Sequence, residues 1–250
     1  MTTAETTDDR RSGLRYVAFF DILGMSDLIL QNHEKAWEIL GRIRHEMIAG
    51  MEQQRFEVSL TGGSPVKRFK NADYIKYFTF SDSILLFTDG ETVLDLLSIV
   101  SFCTEFFASA FYRCVPLRGN IAHGEFWFNL QHNVFSGPAL VMAYRAAEDP
   151  QWMGVTVDSV VSERLNLGLP QAPHLCEWDV PVKSQSEPKR LSVVNWPALH
   201  RNAFSVRPPI TAEHLYAAAF ERVFGPFQSL EPSAQAKYVN TALFINAKLA

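Results

Sequence analysis

The stretch LRYVAFFDILGMS, residues 14–26, decides the fold, because an apolar run rich in β-branched and aromatic residues stops at a carboxylate. Residues 14–22 predict a buried strand. An unpaired carboxylate at the mouth of a core costs several kcal/mol of desolvation. Asp21 therefore needs a cation, a shell of hydrogen bonds or a turn that returns it to water.

Outward from this strand, helical and extended patterns alternate. Ser26 is predicted to cap a helix over residues 27–54. Its apolar positions at helical spacing are Leu28, Trp37, Leu40, Ile43 and Met47. Residues 61–72 predict a loop, and the apolar segments on either side of SDS, residues 81–83, predict a hairpin.

The second half of the chain continues the alternation. It predicts a helix over residues 94–112, a long strand over 114–129, a helix over 137–149, a strand over 152–159, a hairpin over 174–196 and helices from Thr211 onward. Pro138 suits the first turn of its helix. This order predicts an α+β sandwich, with a mostly antiparallel central sheet and helices packed on one face.

Composition narrows the function classes. The chain has 250 residues, 47% hydrophobic, and a net charge of -4 with only short cationic runs, which argues against bulk nucleic-acid binding. The three cysteines, Cys103, Cys114 and Cys176, are widely spaced and suit reduced core thiols. The N-terminal residues lack an apolar signal region, and no later segment is judged to approach the roughly 20 apolar residues of a membrane span. A cytoplasmic protein without membrane or nucleic-acid partners is expected.

Two aspartates are the candidate site. In the predicted topology, the first strand lies beside the hairpin, which brings Asp21 close to Asp82 in the hairpin turn. Two nearby carboxylates repel each other, and a hard divalent cation relieves that repulsion. The alternative is that Asp21 caps the turn over residues 23–26 and Asp82 only supplies a type I turn.

Four segments together resemble one family. They are FFDILGMS (19–26), FSDSILLF (80–87), LRGNIAHGEF (117–126) and GPALVMAYRAAE (137–148). In this order they resemble the class III nucleotidyl cyclase homology domain, over about residues 14–195. The resemblance implies a disordered tail over 1–13, a cyclase catalytic domain over 14–200 and a C-terminal helical extension over 201–250.

The resemblance also implies roles for individual residues. Asp21, Asp82 and the backbone carbonyl of Ile22 match the ligands of two Mn²⁺ or Mg²⁺ ions. Arg145 matches the arginine that stabilises the transition state, and Arg118 matches one that contacts phosphate. A forked guanidinium suits the charge that accumulates during phosphoryl displacement.

Basic residues of the last predicted hairpin could hold the outer phosphates. They are Lys183, Lys189 and Arg190. The alternatives are that this hairpin tip is merely solvated and that Arg145 only pairs with Glu148 on a wet helix face.

Departures from the family pattern bear on the substrate. Val141 stands where the family has an asparagine, and Phe78 and Val134 stand where purine cyclases read the base. Phe78 offers a stacking surface. These features resemble the pyrimidine cyclases of the Pycsar antiphage system, which make cyclic UMP or cyclic CMP. The alternative is that both residues are ordinary core residues.

The expected function follows from that resemblance. It is conversion of UTP, preferred over CTP, to a cyclic monophosphate that acts as a second messenger in antiviral defence, in a head-to-tail homodimer with composite active sites. A purine cyclase and a non-catalytic module that senses a nucleotide or docks a partner remain as alternatives.

Overall fold

A computed structural model of the chain describes residues 11–53, 55–58, 67–168, 174–201 and 208–250. Within them, the strands are β1 Leu14–Ile22, β2 Arg55–Val58, β3 Lys67–Lys70, β4 Ile75–Phe80, β5 Ser83–Thr88, β6 Leu117–Glu125, β7 Trp127–Asn129, β8 Val134–Ser136, β9 Val155–Val157, β10 Leu175–Val180 and β11 Lys189–Val194. The α-helices are α1 Met25–Gln31, α2 His33–Arg42, α3 Ala49–Glu52, α4 Val93–Tyr112, α5 Pro138–Glu148, α6 Ser159–Gly168, α7 Trp196–Leu199, α8 Ala212–Ala219, α9 Glu221–Phe224 and α10 Pro232–Leu249. A π-helical segment, Ile43–Ile48, joins α2 to α3.

A seven-stranded sheet forms the centre, in the order β10-β11-β9-β6-β1-β5-β4. Neighbouring strands are antiparallel, except that β6 and β9 run parallel. The predicted α+β fold with a mostly antiparallel sheet is confirmed. In β1, Asp21 lies opposite Ser83 of β5 on one side and Arg118 of β6 on the other.

Helices cover both faces of the sheet, so the expectation of helices on one face is wrong. Alternate residues of β1 point to opposite faces, and both sets are buried. One set contacts the large core that contains α4 and α10, whereas Val17 and Phe19 pack with α5. The buried residues of α5 are Ala139, Ala143 and Ala147, whose small side chains let the helix lie close to the sheet.

The helix predicted after β1 is interrupted. Its N-cap is Gly24, at φ 74, rather than Ser26, which lies inside α1. Glycine adopts this left-handed conformation without the steric cost that a Cβ atom brings. Asn32 ends α1 and caps α2, because its side chain accepts a hydrogen bond from the Lys35 backbone. Trp37 was expected on the apolar face but is 71% exposed.

Two other segments differ from their predictions. Within the predicted loop over residues 61–72, positions 61–66 lie outside the described residues, and 67–70 form β3, paired with β2. The predicted long strand over residues 114–129 starts only at Leu117 and breaks at the buried Phe126. After the break, β7 leaves the central sheet and pairs with β8.

The predicted N-terminal tail falls largely outside the described residues, which begin at Arg11. The backbone of Arg11 pairs with Phe128 of β7. At the other end of the chain, residues of α8 and α10 belong to the large core, among them Leu215, Tyr216 and Phe244.

Among the described residues, α4 is long and apolar enough to cross a membrane by length and composition alone. The expectation that no segment approaches a membrane span is therefore wrong. In this structure 67% of its apolar window is buried, and Phe102 and Phe106 lie in the core. The helix begins with a reciprocal capping box between Thr92 and Asp95 and packs as a core helix.

Candidate active site

A polar cleft of about 420 Å³ opens where β1 ends. Its walls are formed by the end of β1, the start of α1, the β4–β5 turn, the last turn of α5 and part of α10. Its charged side chains are Asp21, Asp27, Asp82, Glu148, Arg118 and Lys237. The cleft has four carboxylates and only two basic side chains. A polyphosphate can therefore bind favourably only together with metal ions that offset the negative charge.

Arg118 is the partner that makes burial of Asp21 possible. The Arg118 Nε and Nη2 atoms lie 2.8 and 2.7 Å from Asp21 Oδ2. Arg118 Nη1 donates to the Glu148 carbonyl oxygen at 2.8 Å, at the C-terminal end of α5. A guanidinium is favoured at this end of a helix, where the carbonyl oxygens concentrate negative charge. Arg118 therefore links β1, β6 and α5, and each of its three guanidinium nitrogen atoms contacts a protein oxygen.

The ion pair leaves part of Asp21 free. Both Arg118 bonds go to Oδ2, and none of the described residues forms a hydrogen bond with Oδ1. The side chain is 21% exposed and lines the cleft. One carboxylate oxygen thus neutralises a buried guanidinium while the other can accept a cation or a hydrogen bond from a ligand.

Asp82 reaches the same cleft from the β4–β5 turn, in which Ser81 has a φ of 52°. The backbone N–H of Ile22 donates to the Asp82 carbonyl oxygen at 3.1 Å, which fixes the turn against the end of β1. The Ser26 hydroxyl lies 3.3 Å from Asp82 Oδ2. The expected proximity of the Asp21 and Asp82 segments is confirmed, and Ile22 lines the same cleft.

The donor set suits a hard divalent cation that is shared with a ligand. Within the described ranges, no group of three or more His, Cys, Asp or Glu side chains could hold a metal by itself. Mg²⁺ is commonly held by one or two carboxylates, with water and substrate phosphates completing its octahedron. Asp21 and Asp82 fit that pattern, and a backbone carbonyl such as that of Ile22 is a suitable third donor.

Arg145 does not line this cleft. It lies exposed on α5 and has no ion pair within the described part of the chain, and no pairing with Glu148 is seen there. The Glu148 carboxylate raises the pKa of the neighbouring Tyr144 phenol instead. Val141 and Met142, which precede Arg145 on the helix, are also exposed.

The proposed base-pocket residues lie outside the cleft. Phe78 is half-buried, and its ring centroid lies 4.7 Å from that of Phe135. Val134 is 57% exposed on β8. Phe78 therefore packs against the core on the α5 face, which agrees with the alternative that it is an ordinary core residue. Val134 instead presents its side chain to solvent.

The basic residues of the last hairpin also lie outside the cleft. Lys183, Lys189 and Arg190 are exposed, and Arg190 is paired with Asp179 at 3.2 Å. The Lys183 backbone N–H donates to the Asp149 carbonyl oxygen at 3.0 Å, just beyond α5.

Sequence reasoning missed Lys237. This half-buried residue of α10 lines the cleft together with Asp21 and Arg118. Burial lowers the pKa of its ammonium group, the charges of Arg118 and Lys183 lower it further, and Asp21 raises it. The available signal was its spacing, since Lys237 precedes the buried Thr241 and Phe244 by four and seven residues on one helical face.

Comparisons with known proteins bear on the fold. No protein-family model and no curated protein matches the sequence. The catalytic core of a rhodopsin-guanylyl cyclase with converted specificity, solved with ATPαS, matches with a TM-score of 0.51 and 11% identity, over 74% of this chain and 97% of that one. An adenylate/guanylate cyclase/hydrolase from Silicibacter pomeroyi matches with a TM-score of 0.47 and 16% identity, over 74% and 98%. The likeness to the guanylyl cyclase core, with a TM-score of 0.51, shows that the chain has the fold of a class III nucleotidyl cyclase domain.

Proposed function

We propose that this protein is a nucleotide cyclase that converts a nucleoside triphosphate to its 3′,5′-cyclic monophosphate and pyrophosphate. The observation that carries the proposal is the meeting of Asp21 and Asp82 in one acidic cleft, at the end of a central strand of a cyclase fold. Paired carboxylates at this position suit the two-metal displacement that such a reaction needs.

The proposed reaction assigns a role to each residue at the end of β1. In the reaction the ribose 3′-oxygen bonds to the α-phosphorus, the bond to the β-phosphate oxygen breaks, and the hydroxyl proton passes to water or buffer. Asp21, Asp82 and the Ile22 carbonyl would hold divalent cations, which make the hydroxyl more acidic and offset the triphosphate charge. Arg118 orients the Asp21 carboxylate through its two bonds to Oδ2.

The transition-state charge needs a further cation, and we assign that role to Arg145 of a second subunit. Arg145 is exposed and outside the cleft of its own chain, on a helix that also exposes Val141 and Met142. A two-fold, head-to-tail dimer would carry Arg145 of each chain to the cleft of the other and would make two equivalent composite sites.

The preferred substrate in this proposal is a pyrimidine triphosphate, UTP before CTP. This preference rests on the family resemblance, in which Phe78 and Val134 bring no hydrogen-bonding group to the positions where purine cyclases read the base; in this structure both residues lie outside the cleft. The product would serve as a second messenger in antiviral defence, an assignment that rests on the family resemblance.

The first test incubates the protein with each of the four nucleoside triphosphates and Mn²⁺ and identifies products by mass. Asp82→Asn should lower turnover by about 100-fold or more, because it removes a charge that holds the cation. Asp73→Asn is the matched control, an exposed aspartate in the short 3-10 turn before β4. Wild-type turnover in the Asp82 variant would refute the metal assignment, and faster formation of cyclic AMP or cyclic GMP would refute the pyrimidine assignment.

The second test addresses the composite site. Asp21→Ala and Arg145→Ala proteins should each be nearly inactive, and subunit exchange between them should restore part of the activity, because each heterodimer keeps one intact site. No rescue despite demonstrated heterodimers would remove Arg145 from the site.

Two observations favour a second function, a non-catalytic nucleotide-binding module. The Asp21–Arg118 ion pair engages one oxygen of one of the two metal-site carboxylates, and Val141 lacks the amide of the family's asparagine. Tight binding of a triphosphate with no cyclic product from any of the four would favour the module.

A further inference from the structure

The side chain of Lys237, on helix α10, lines the cleft, and the proposed function gives it no role. We propose that the Lys237 ammonium group binds an outer phosphate of the nucleotide, which makes the C-terminal helix part of the active site. This inference rests on the proposed function for the identity of the ligand as a nucleoside triphosphate. Binding of a phosphate group by Lys237 beside Asp21 does not itself require cyclase activity.

The packing of α10 determines where Lys237 lies. The Thr241 hydroxyl accepts a hydrogen bond from the Met153 backbone at 2.8 Å, and Asn240 donates to the Gln151 carbonyl oxygen at 2.7 Å. The Phe244 ring lies 4.8 Å from that of Trp152. These contacts hold the helix face that carries Lys237 against residues 151–153.

That segment connects directly to the strand that carries Arg118. The backbone N–H of Gly119, the residue that follows Arg118, donates a hydrogen bond to the Gly154 carbonyl oxygen at 2.9 Å. Lys237 is therefore positioned relative to the Asp21–Arg118 pair through continuous backbone and helix contacts. Such support is what a ligand-binding side chain needs in order to hold its geometry.

The charge environment of Lys237 calls for an anion. Among the described residues, no side chain forms a hydrogen bond or ion pair with its ammonium group. The positive charges of Arg118 and Lys183 disfavour the charged form of Lys237, and the Asp21 carboxylate in the same cleft is already paired with Arg118. A phosphate between Lys237 and the cation-loaded aspartates would relieve this repulsion and replace the lost solvation.

The experiment measures binding of inorganic pyrophosphate with Mg²⁺ by calorimetry, which needs no turnover. Lys237→Met should weaken binding by about 10- to 100-fold, the loss expected for one charge-assisted contact, and Lys237→Arg should lose less. Lys248→Met is the matched control, a lysine of the same helix whose ammonium lies 5.6 Å from the Trp178 ring centroid. Its affinity should stay within about twofold of the wild type.

Each outcome decides the inference. Equal pyrophosphate affinity in the wild type and Lys237→Met overturns it, as does a wild type that binds no pyrophosphate. A weakened Lys237→Met supports it, even when no triphosphate yields a cyclic product, and in that case only the proposed cyclase activity fails. Cyclic product with the same KM in wild type and Lys237→Met overturns the inference and leaves the cyclase proposal intact. Should Lys237→Met fail to fold, Lys237→Gln provides the same comparison.

Discussion

Replacing Arg118 with methionine tests how Asp21 is stabilised at the end of its strand. The change removes two charged contacts to Asp21 and one to the Glu148 carbonyl, and it leaves the Asp21 carboxylate partly buried without its cation. Breaking a buried ion pair from one side costs about 3 to 5 kcal/mol. The side chains of Arg118 and Asp21 are 10% and 21% exposed, so solvent reduces this to about 3 kcal/mol.

For a chain of this size, about 3 kcal/mol lowers the melting temperature by roughly 6 to 12 °C. Denaturant unfolding of the wild type, Arg118→Met, Asp21→Asn and the double variant gives the coupling energy of the pair. We expect the double variant to recover more than about 1 kcal/mol relative to the sum of the single changes, because it leaves no unpaired charge. Mn²⁺ should raise the melting temperature of Arg118→Met more than that of the wild type, because in the variant the ion also replaces the positive charge that Asp21 has lost.

Two results would refute this reasoning. One is a melting temperature of Arg118→Met within about 1 °C of the wild type. The other is a double variant whose loss equals the sum of the two single losses, because the ion pair would then contribute nothing to stability.

Two further predictions concern an ion pair beside the central sheet and a close contact within it. Glu91→Gln should cost less than about 1 kcal/mol at neutral pH, because solvent screens a half-exposed pair. Hydrogen bonds from Arg164 and His123 lower the pKa of Glu91 below 4.5, so its contribution is complete above pH 4.5. The difference in melting temperature between wild type and variant should shrink as the pH falls below that value, and a difference that grows instead would contradict the assignment. Gly119→Ala should cost about 2 kcal/mol or more, because a Cβ there would lie 2.6 Å from a ring carbon of Phe20; unchanged thermal stability would contradict the packing.

Several elements were predictable because their signals are local. The run over residues 14–22, the turn residues at 81–83 and Pro138 before an apolar helical pattern each act within a few positions, and the corresponding elements are β1, the β4–β5 hairpin and α5. Interruptions were harder to predict. The break at Asn32 and the departure of β7 from the central sheet depend on what each segment packs against, which periodicity does not express.

By itself, the sequence determined that a carboxylate ends a buried strand, that a second one occupies the next hairpin turn, and that both belong to an α+β fold. The tertiary structure decided which group neutralises the first carboxylate. Arg118 is 97 positions away, and only the β1–β6 register brings it to Asp21, since a slip of one residue would point it to the opposite face. The tertiary structure likewise brought Lys237 into the cleft, through the burial of one face of α10 against Trp152 and Met153. Burial of that kind is a property of the assembled core, because it depends on residues that are distant in the chain and meet only after folding.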